Sequence, residues 1–133
     1  TRMVLDPKSI DTVVASNLHA DILTDLAASL SGSMGIAPTA NLDPDKRHPS
    51  MFEPIHGSAF DIMGKGIANP IGSYWSAVMM LENLGELQAA QKLMFAIEKL
   101  TADKKVLPKD LGGTSTTKQI TKAMIDIIFG KNN

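Results

Sequence analysis

The feature that most constrains this fold is a stretch of forty residues that glycine and proline interrupt throughout. Ten residues of these two types fall between Gly32 and Ile71, and they break every long periodic pattern there. Neither type suits the interior of a helix or a strand, so irregular structure is predicted. Irregular segments of this length in a compact chain are usually functional, and we therefore expect a system of binding loops.

Regular structure is predicted on both sides of this stretch. The β-branched run over residues 11–16 is typical of a buried parallel strand, and the spacing of apolar residues over 18–30 predicts a helix directly after it. Further helices are predicted over about 74–81, 87–105 and 115–129. One strand with three or four helices cannot close an α/β sheet. We therefore expect an α/β fold with an incomplete sheet and several helices.

The helix around Trp75 is apolar on nearly all sides, which predicts burial over most of its surface. This helix and the incomplete sheet leave apolar surface that has to be covered, so we expect a partner segment or self-association. The chain also begins with Thr1 rather than methionine, inside an apolar pattern. We expect it to be the tail of a longer protein, whose N-terminal portion supplies the other strands.

The composition argues against several classes of function. The 13 basic and 14 acidic side chains leave a formal charge of −1, which argues against a surface that binds nucleic acid. No run approaches the ~20 apolar residues that cross a bilayer, so we expect a soluble chain. With 0 cysteines the chain has no disulfide, thiol nucleophile or cysteine-ligated zinc, which fits a cytoplasmic location.

Two aspartates form a candidate metal site. Asp21 and Asp25 lie four residues apart, so on a helix their side chains rise from one face at neighbouring turns. Two such charges ~4 Å apart repel by about 4 kcal/mol at an effective dielectric constant near 20, and a divalent cation would offset this. Carboxylates without cysteine favour Mg²⁺ or Mn²⁺ over zinc. The alternative is that both aspartates are ordinary solvated surface acids.

His19 lies on the same predicted helix as the two aspartates. Helical geometry places it near the middle of the apolar stripe rather than on the acidic face. We therefore expect a packed, hydrogen-bonded histidine and not a metal ligand or a base.

A second candidate site is the loop over residues 52–70, which mixes hydrogen-bonding side chains with glycines that let a ligand approach the backbone. It contains neither the G-x-G-x-x-G dinucleotide pattern after a strand nor a G-x-x-x-x-G-K-[ST] phosphate loop. A nucleotide bound here would contact loop backbone and side chains rather than a helix N-terminus. The alternative is an irregular loop with a structural role alone.

Three strings of residues are specific enough to indicate a family. They are SNLHADILTD over 16–25, GIAPTANL over 35–42 and FEPIHGSA over 52–59, the last continuing to Asn69 and Pro70. In order and spacing they resemble the β-decarboxylating dehydrogenases, which include isopropylmalate, isocitrate, homoisocitrate and tartrate/D-malate dehydrogenases. The resemblance implies the C-terminal part of an isopropylmalate-dehydrogenase-like fold.

Other strings resemble one branch of this family more than the rest. VVASN over 13–17, APTANL over 37–42 and IGSYWS over 71–76 are most similar to the tartrate/D-malate branch. The resemblance therefore implies oxidation and decarboxylation of a small 2-hydroxy dicarboxylic acid, most closely tartrate or D-malate. Isopropylmalate dehydrogenase is the alternative within the family, and a non-catalytic module that binds a nucleotide or a metal is the alternative outside it.

The resemblance also assigns roles to residues. Asp21 and Asp25 match the aspartates that bind Mg²⁺ or Mn²⁺ and, with it, the substrate. His56 and Asn69 match residues near the adenine of NAD, and Asp61 matches the residue at the adenosine ribose. A carboxylate there accepts hydrogen bonds from ribose hydroxyls and repels a 2′-phosphate, which favours NAD over NADP. The residues that match the NAD-binding loop are Glu53, His56, Gly57, Ser58, Ala59, Asp61 and Asn69.

The mechanism implied is transfer of a hydride to the nicotinamide and then loss of carbon dioxide, with the metal polarising the substrate oxygen. No residue of this chain matches the family's catalytic lysine and tyrosine, its substrate-binding arginines or its further metal aspartate. We therefore expect those residues upstream of Thr1, and we expect the isolated chain to be inactive. Two departures occur: His19 and Ala20 replace the usual Phe-Gly, and Phe60 replaces the usual proline. Phe60 is the change that could reshape the adenine pocket.

The resemblance divides the chain into two parts. Residues 1–32 match the end of the smaller domain, with the predicted strand and the metal-ligand helix. Residues 33–133 match the C-terminal segment of the larger, cofactor-binding domain. The family also implies a homodimer whose active sites draw on both subunits.

Overall fold

The computed structural model describes residues 1–130, which form five helices and two strands. Three short 3₁₀ turns lie between them, at Pro7–Ser9, Met34–Ile36 and Lys109–Leu111. The order along the chain is α1 (Arg2–Leu5), α2 (Asn17–Leu30), β1 (Pro38–Asn41), β2 (Met51–Pro54), α3 (Ile71–Asn83), α4 (Leu87–Asp103) and α5 (Thr117–Ile128).

The hydrophobic core lies where α3, α4 and α5 pack together. Helix α3 is central because it contacts α4 on one side and the strands β1 and β2 on another, which explains why its sequence is apolar nearly all round. Each large aliphatic side chain buried there contributes about 1.5–3 kcal/mol. The buried apolar residues of this core are Ile71, Val78, Ala90, Ala96, Ile97, Leu100, Ile120 and Met124.

The three helices after residue 70 confirm the helices predicted from apolar spacing, with ends that differ by a few residues. Helix α5 begins at Thr117 rather than near 115 because a capping box fixes its start. The Thr116 hydroxyl accepts a hydrogen bond from the Gln119 backbone N–H, and the Gln119 side chain accepts one from the Thr116 N–H, at 2.8 Å. Two helix N–H donors thereby gain partners.

The strands β1 and β2 form an antiparallel hairpin that the sequence did not predict. Pro38 pairs with Pro54 and Asn41 with Met51, which gives a sheet of two strands in the described residues. The loop between them is folded around Asp43, whose Oδ2 accepts hydrogen bonds from the backbone N–H of Arg47 and of His48 at 2.9 and 2.7 Å. The α/β class with an incomplete sheet is therefore confirmed, although its strands lie elsewhere.

The strand predicted over residues 11–16 is not formed in the described part of the chain, and this prediction is wrong for the structure. A strand needs a neighbour for its backbone hydrogen bonds. Within 1–130 the two strands pair with each other instead, and Val14 is 98% exposed. The helix predicted directly after it is confirmed as α2.

His19 differs from the sequence prediction in one respect. Its Nδ1 forms the expected hydrogen bond, with Ser16 Oγ at 2.8 Å, but the side chain is exposed rather than packed. Its neighbours Leu18 and Ile22 on the same helix are exposed as well.

Helix α2 carries a stripe of exposed apolar side chains, whereas Trp75 is half-buried against the core. Leu18 is 68% exposed and Ile22 is 59% exposed, and Leu26 and Leu30 continue the same stripe at helical spacing. In residues 1–130 no helix has the length and apolar character to cross a membrane.

Candidate functional site

A cavity of about 990 Å³ lies between the glycine-rich loop and two later segments of the chain. Its walls come from residues 33–35, 56–59, most of 62–69, 109–110 and 117–118. This volume is at the upper end of the range for small-molecule and cofactor sites. Segments far apart in sequence therefore converge on one space large enough for a nucleotide.

The loop on one side of the cavity follows a path that requires glycine. Gly64 and Gly66 have φ angles of 74° and 66°, a left-handed conformation that residues with a Cβ rarely adopt. Ala59 adopts a similar φ of 42°, and the Ile62 N–H donates to its carbonyl at 3.0 Å. The chain consequently turns tightly and presents backbone to the cavity.

The first turn of α5 holds this loop in place. The Thr117 N–H donates to the Gly66 carbonyl at 2.9 Å, and the Thr117 hydroxyl donates to the Ala68 carbonyl at 2.5 Å. Two backbone carbonyls of the loop are thus bound to a helix that is itself packed in the core. The loop wall is therefore fixed relative to α5. Thr117 and Lys118 also line the cavity, so the structure differs from the prediction that loop groups rather than a helix N-terminus face a ligand here.

The lining combines polar and apolar groups. Ile62, Met63 and Ile67 contribute apolar side chains, while His56 and Asp110 contribute polar ones. Such a surface can hold a flat, partly apolar ring and bind the polar atoms at its edge. This chemistry suits a partly apolar ring that carries an anionic group, since Lys109 and Lys118 also line the cavity.

The structure brings together most of the residues predicted to bind the cofactor. Five of the seven line the cavity, and these are His56, Gly57, Ser58, Ala59 and Asn69. Glu53 does not line it: it lies exposed on β2, opposite Thr39. Asp61 does not line it either and is exposed on the loop beside Ile62.

Sequence reasoning missed the other side of the cavity. Lys109, Asp110, Thr117 and Lys118 line it, and they lie well beyond the predicted loop, which ends at residue 70. The signal that could have found them is the pair of glycines at 112–113, just before α5. An added Cβ at Gly113 would collide with the Leu107 carbonyl, so this turn is as closely built as the loop it faces.

The predicted metal ligands lie apart from the cavity lining. Asp21 and Asp25 are one turn apart on α2, with Asp21 exposed and Asp25 half-buried. Their carboxylates are hard oxygen donors that suit Mg²⁺ or Mn²⁺. Among the described residues no group of three or more metal-binding side chains occurs, so a complete shell needs water, substrate or other protein oxygens.

Comparison with known protein families identifies the chain. The model of the family described as isocitrate/isopropylmalate dehydrogenase matches residues 1–128. A probable tartrate dehydrogenase/decarboxylase of Agrobacterium vitis is 60% identical over 98% of the chain, and the D-malate dehydrogenase (decarboxylating) of Escherichia coli K12 is 48% identical over 96%. The crystal structure of isocitrate dehydrogenase from Methylococcus capsulatus superposes on 96% of the chain with a TM-score of 0.88 and 39% identity.

The coverage of these relatives is partial. The chain spans 36% of the Agrobacterium protein, 37% of the E. coli protein and 37% of the Methylococcus chain. The matches confirm the resemblance seen in the three sequence strings, and the neighbouring structure confirms the type of fold. The chain belongs to the isocitrate/isopropylmalate dehydrogenase family.

Proposed function

We propose that this chain supplies the NAD-binding wall and two metal ligands of an oxidoreductase that oxidises and decarboxylates a 2-hydroxy dicarboxylic acid. Tartrate and D-malate are the preferred substrates, because relatives at 48–60% identity are named tartrate dehydrogenase/decarboxylase and D-malate dehydrogenase. The observation that carries the proposal is the convergence of His56, Gly57 and Asn69 on one cavity of nucleotide size. In this proposal residues 1–32 belong to the smaller domain and the rest to the larger one.

The cavity supports NAD as the ligand through its lining. His56 and Asn69 supply polar side chains on the adenine side, and the apolar groups of Ile62 and Ile67 supply contact area for a ring. Asp61 is exposed at the edge of this loop, where its negative charge disfavours a 2′-phosphate. NAD is therefore proposed over NADP.

The aspartates of α2 are proposed to bind Mg²⁺ or Mn²⁺. When bound, the cation supplies Lewis-acid polarisation of a substrate oxygen, and NAD supplies the hydride acceptor. Asp21 and Asp25 hold negative charge one helical turn apart, which attracts the cation and positions it relative to α2. The acid–base groups are proposed to come from protein outside this chain.

The proposed partners are an N-terminal portion of the same enzyme and a second subunit in a homodimer. The exposed stripe that begins with Leu18 and Ile22 supports such a partner, since contiguous apolar surface marks interaction sites. A cytoplasmic location is also proposed, on the basis of the 0 cysteines. Isopropylmalate is the second candidate substrate, favoured by the family description.

Titration calorimetry with the 133-residue chain tests the NAD proposal. NAD is expected to bind, NADP to bind more weakly, and the Asp21→Ala/Asp25→Ala variant to bind NAD as the unaltered chain does. A chain that binds neither dinucleotide at millimolar concentration would contradict the proposal. Binding of NADP as tight as that of NAD would contradict the role of Asp61 alone.

A second measurement separates the enzyme from a non-catalytic module. We expect no NAD reduction by the isolated chain with D-malate or tartrate and Mn²⁺, and turnover when the N-terminal portion is joined to it. Turnover that disappears in the Asp21→Ala/Asp25→Ala variant of the joined protein supports the metal site. A joined protein that binds NAD without turning over tartrate, D-malate or isopropylmalate supports the module instead.

A further inference from the structure

One carboxylate oxygen binds two distant segments of the cavity wall. Asp110 Oδ2 accepts a hydrogen bond from Asn69 Nδ2 at 2.8 Å and another from the hydroxyl of Ser33. These partners lie 41 and 77 residues before Asp110, and all three residues line the cavity. Asp110 thus joins the turn before β1, the end of the glycine-rich loop and the turn before α5.

The hydrogen bonds continue beyond these two partners in a fixed direction. Ser33 Oγ accepts from the Gly35 backbone N–H at 2.9 Å, so its own hydrogen is directed to Asp110. Asn69 Oδ1 accepts from the Ile71 N–H at 2.9 Å, at the start of α3. Since an ionised carboxylate can only accept, Asp110 requires the NH₂ side of the Asn69 amide and leaves the oxygen for Ile71.

The turn at Gly35 packs closely against this exposed carboxylate. A Cβ added at Gly35 would lie 2.5 Å from Asp110 Oδ2 and 3.1 Å from Asn69. Ser33 is 8% exposed, so its hydroxyl cannot exchange Asp110 for bulk water without movement of the turn. We name Ser33, Gly35, Asn69 and Asp110 the Asp110 cluster.

We propose that Asp110 is the positioning residue of the cavity: it fixes the orientation of the Asn69 side chain and the distance between the walls that the ligand contacts. The proposal rests on the proposed function for its ligand, a nicotinamide dinucleotide. Asp110 acts through Asn69, which touches the ligand in that function. Loss of Asp110 is therefore expected to lower the affinity for the dinucleotide because the Asn69 amide is no longer held in one orientation.

Amide hydrogen exchange of the ligand-free chain, followed by NMR, tests the positioning directly. The reporters are the N–H groups of Gly35 and Ile71, which depend on the cluster. In Asp110→Ala both are expected to exchange faster by about tenfold or more, the equivalent of one hydrogen bond to a charged group. Asp110→Asn keeps an acceptor oxygen and the side-chain shape, so its exchange rates are expected to lie between those of the unaltered chain and those of Asp110→Ala. Asp103→Ala, at an exposed carboxylate on α4, is the matched control and is expected to change neither amide.

The affinity for NAD tests whether Asp110 acts through Asn69. By calorimetry, Asp110→Ala and Asn69→Ala are each expected to raise the Kd by about tenfold, and the double variant by about the same factor as either one. If Asp110→Ala lowered the affinity for NAD by the same factor in the unaltered chain and in the Asn69→Ala variant, the two residues would act independently. That result would overturn the proposal. Unchanged exchange at Gly35 and Ile71 in both Asp110 variants would also overturn it.

These measurements separate the proposal from the proposed function. If the unaltered chain binds no NAD, the proposed function fails, while the exchange data still decide whether Asp110 fixes the wall. If NAD binds and Asp110→Ala leaves both the exchange and the affinity unchanged, the positioning role fails and the proposed function stands.

Discussion

Replacement of Gly35 by alanine tests how closely the cavity wall is packed. Gly35 has no positive φ, so alanine fits its backbone and any cost arises from the added methyl group. That methyl group would lie 2.5 Å from Asp110 Oδ2 and 3.1 Å from the Asn69 side chain. Either the backbone of this turn moves, or Asp110 rotates away and loses its bonds to Ser33 and Asn69.

Both responses cost a similar amount of free energy. Overpacking of a closely packed site costs about 1–3 kcal/mol. Rotation of Asp110 leaves the buried Ser33 hydroxyl without an acceptor, which costs about 1–3 kcal/mol, while the exposed Asp110 regains water. We therefore expect Gly35→Ala to lower the free energy of unfolding by about 2 kcal/mol.

Urea denaturation followed by circular dichroism measures this loss. With a slope of about 1–3 kcal/mol per molar urea, typical of small proteins, the midpoint is expected to fall by about 1 M. Gly57→Ala is the matched control, since nothing lies within 4 Å of its added Cβ and its φ is not positive. It is expected to leave stability unchanged or raise it by about 0.4–1 kcal/mol. Equal midpoints for the two variants would refute the packing argument.

Three further predictions concern the core, a helix start and the metal site. Ile120→Ala, at a fully buried position, is expected to lower the free energy of unfolding by about 2–5 kcal/mol. Ile125→Ala, at a position that is 45% exposed, is the control and is expected to lower it by about 0.5 kcal/mol or less. Thermal unfolding compares the two variants, and similar losses of stability would contradict the assigned core. Thr116→Ala removes the capping box of α5 and is expected to cost about 1 kcal/mol in the same assay, and an unchanged melting temperature would argue against the cap. Asp21→Asn/Asp25→Asn is expected to abolish Mn²⁺ binding measured by electron paramagnetic resonance while the NAD affinity holds, and retained Mn²⁺ binding would place the metal elsewhere.

The helices could be predicted from the sequence because their signal is local. The apolar spacing of α4 and α5 repeats within each segment, and the buried residues Ile97 and Ile120 belong to that spacing. The predicted loop over 52–70 is confirmed for residues 55–70, because glycine and proline act on their own backbone, whereas residues 52–54 belong to β2. His56 and Asn69 then followed from the resemblance and line one cavity.

The remaining features depend on partners that a local pattern does not contain. Strands β1 and β2 are four residues long and bounded by proline, too short for an alternating pattern to stand out. The run over 11–16 has strand-like residues but no neighbouring strand within the described chain. Asp110 is an ordinary surface acid by its local sequence, and its role depends on contacts 41 and 77 residues away.

The absence of a G-x-G-x-x-G loop has a consequence for what keeps this cavity rigid. In that motif a helix N-terminus and the adjacent sheet fix the binding loop. Here the walls are irregular segments together with the first turn of α5, and side-chain hydrogen bonds that Asp110 accepts and Thr117 donates join one wall to another. Each such bond fixes residues far apart in sequence, so the loss of one frees a long segment. Changes at Asp110 or Thr117 should therefore loosen the whole cavity, whereas a change at the apolar lining residue Ile67 should alter only the local fit of a ligand.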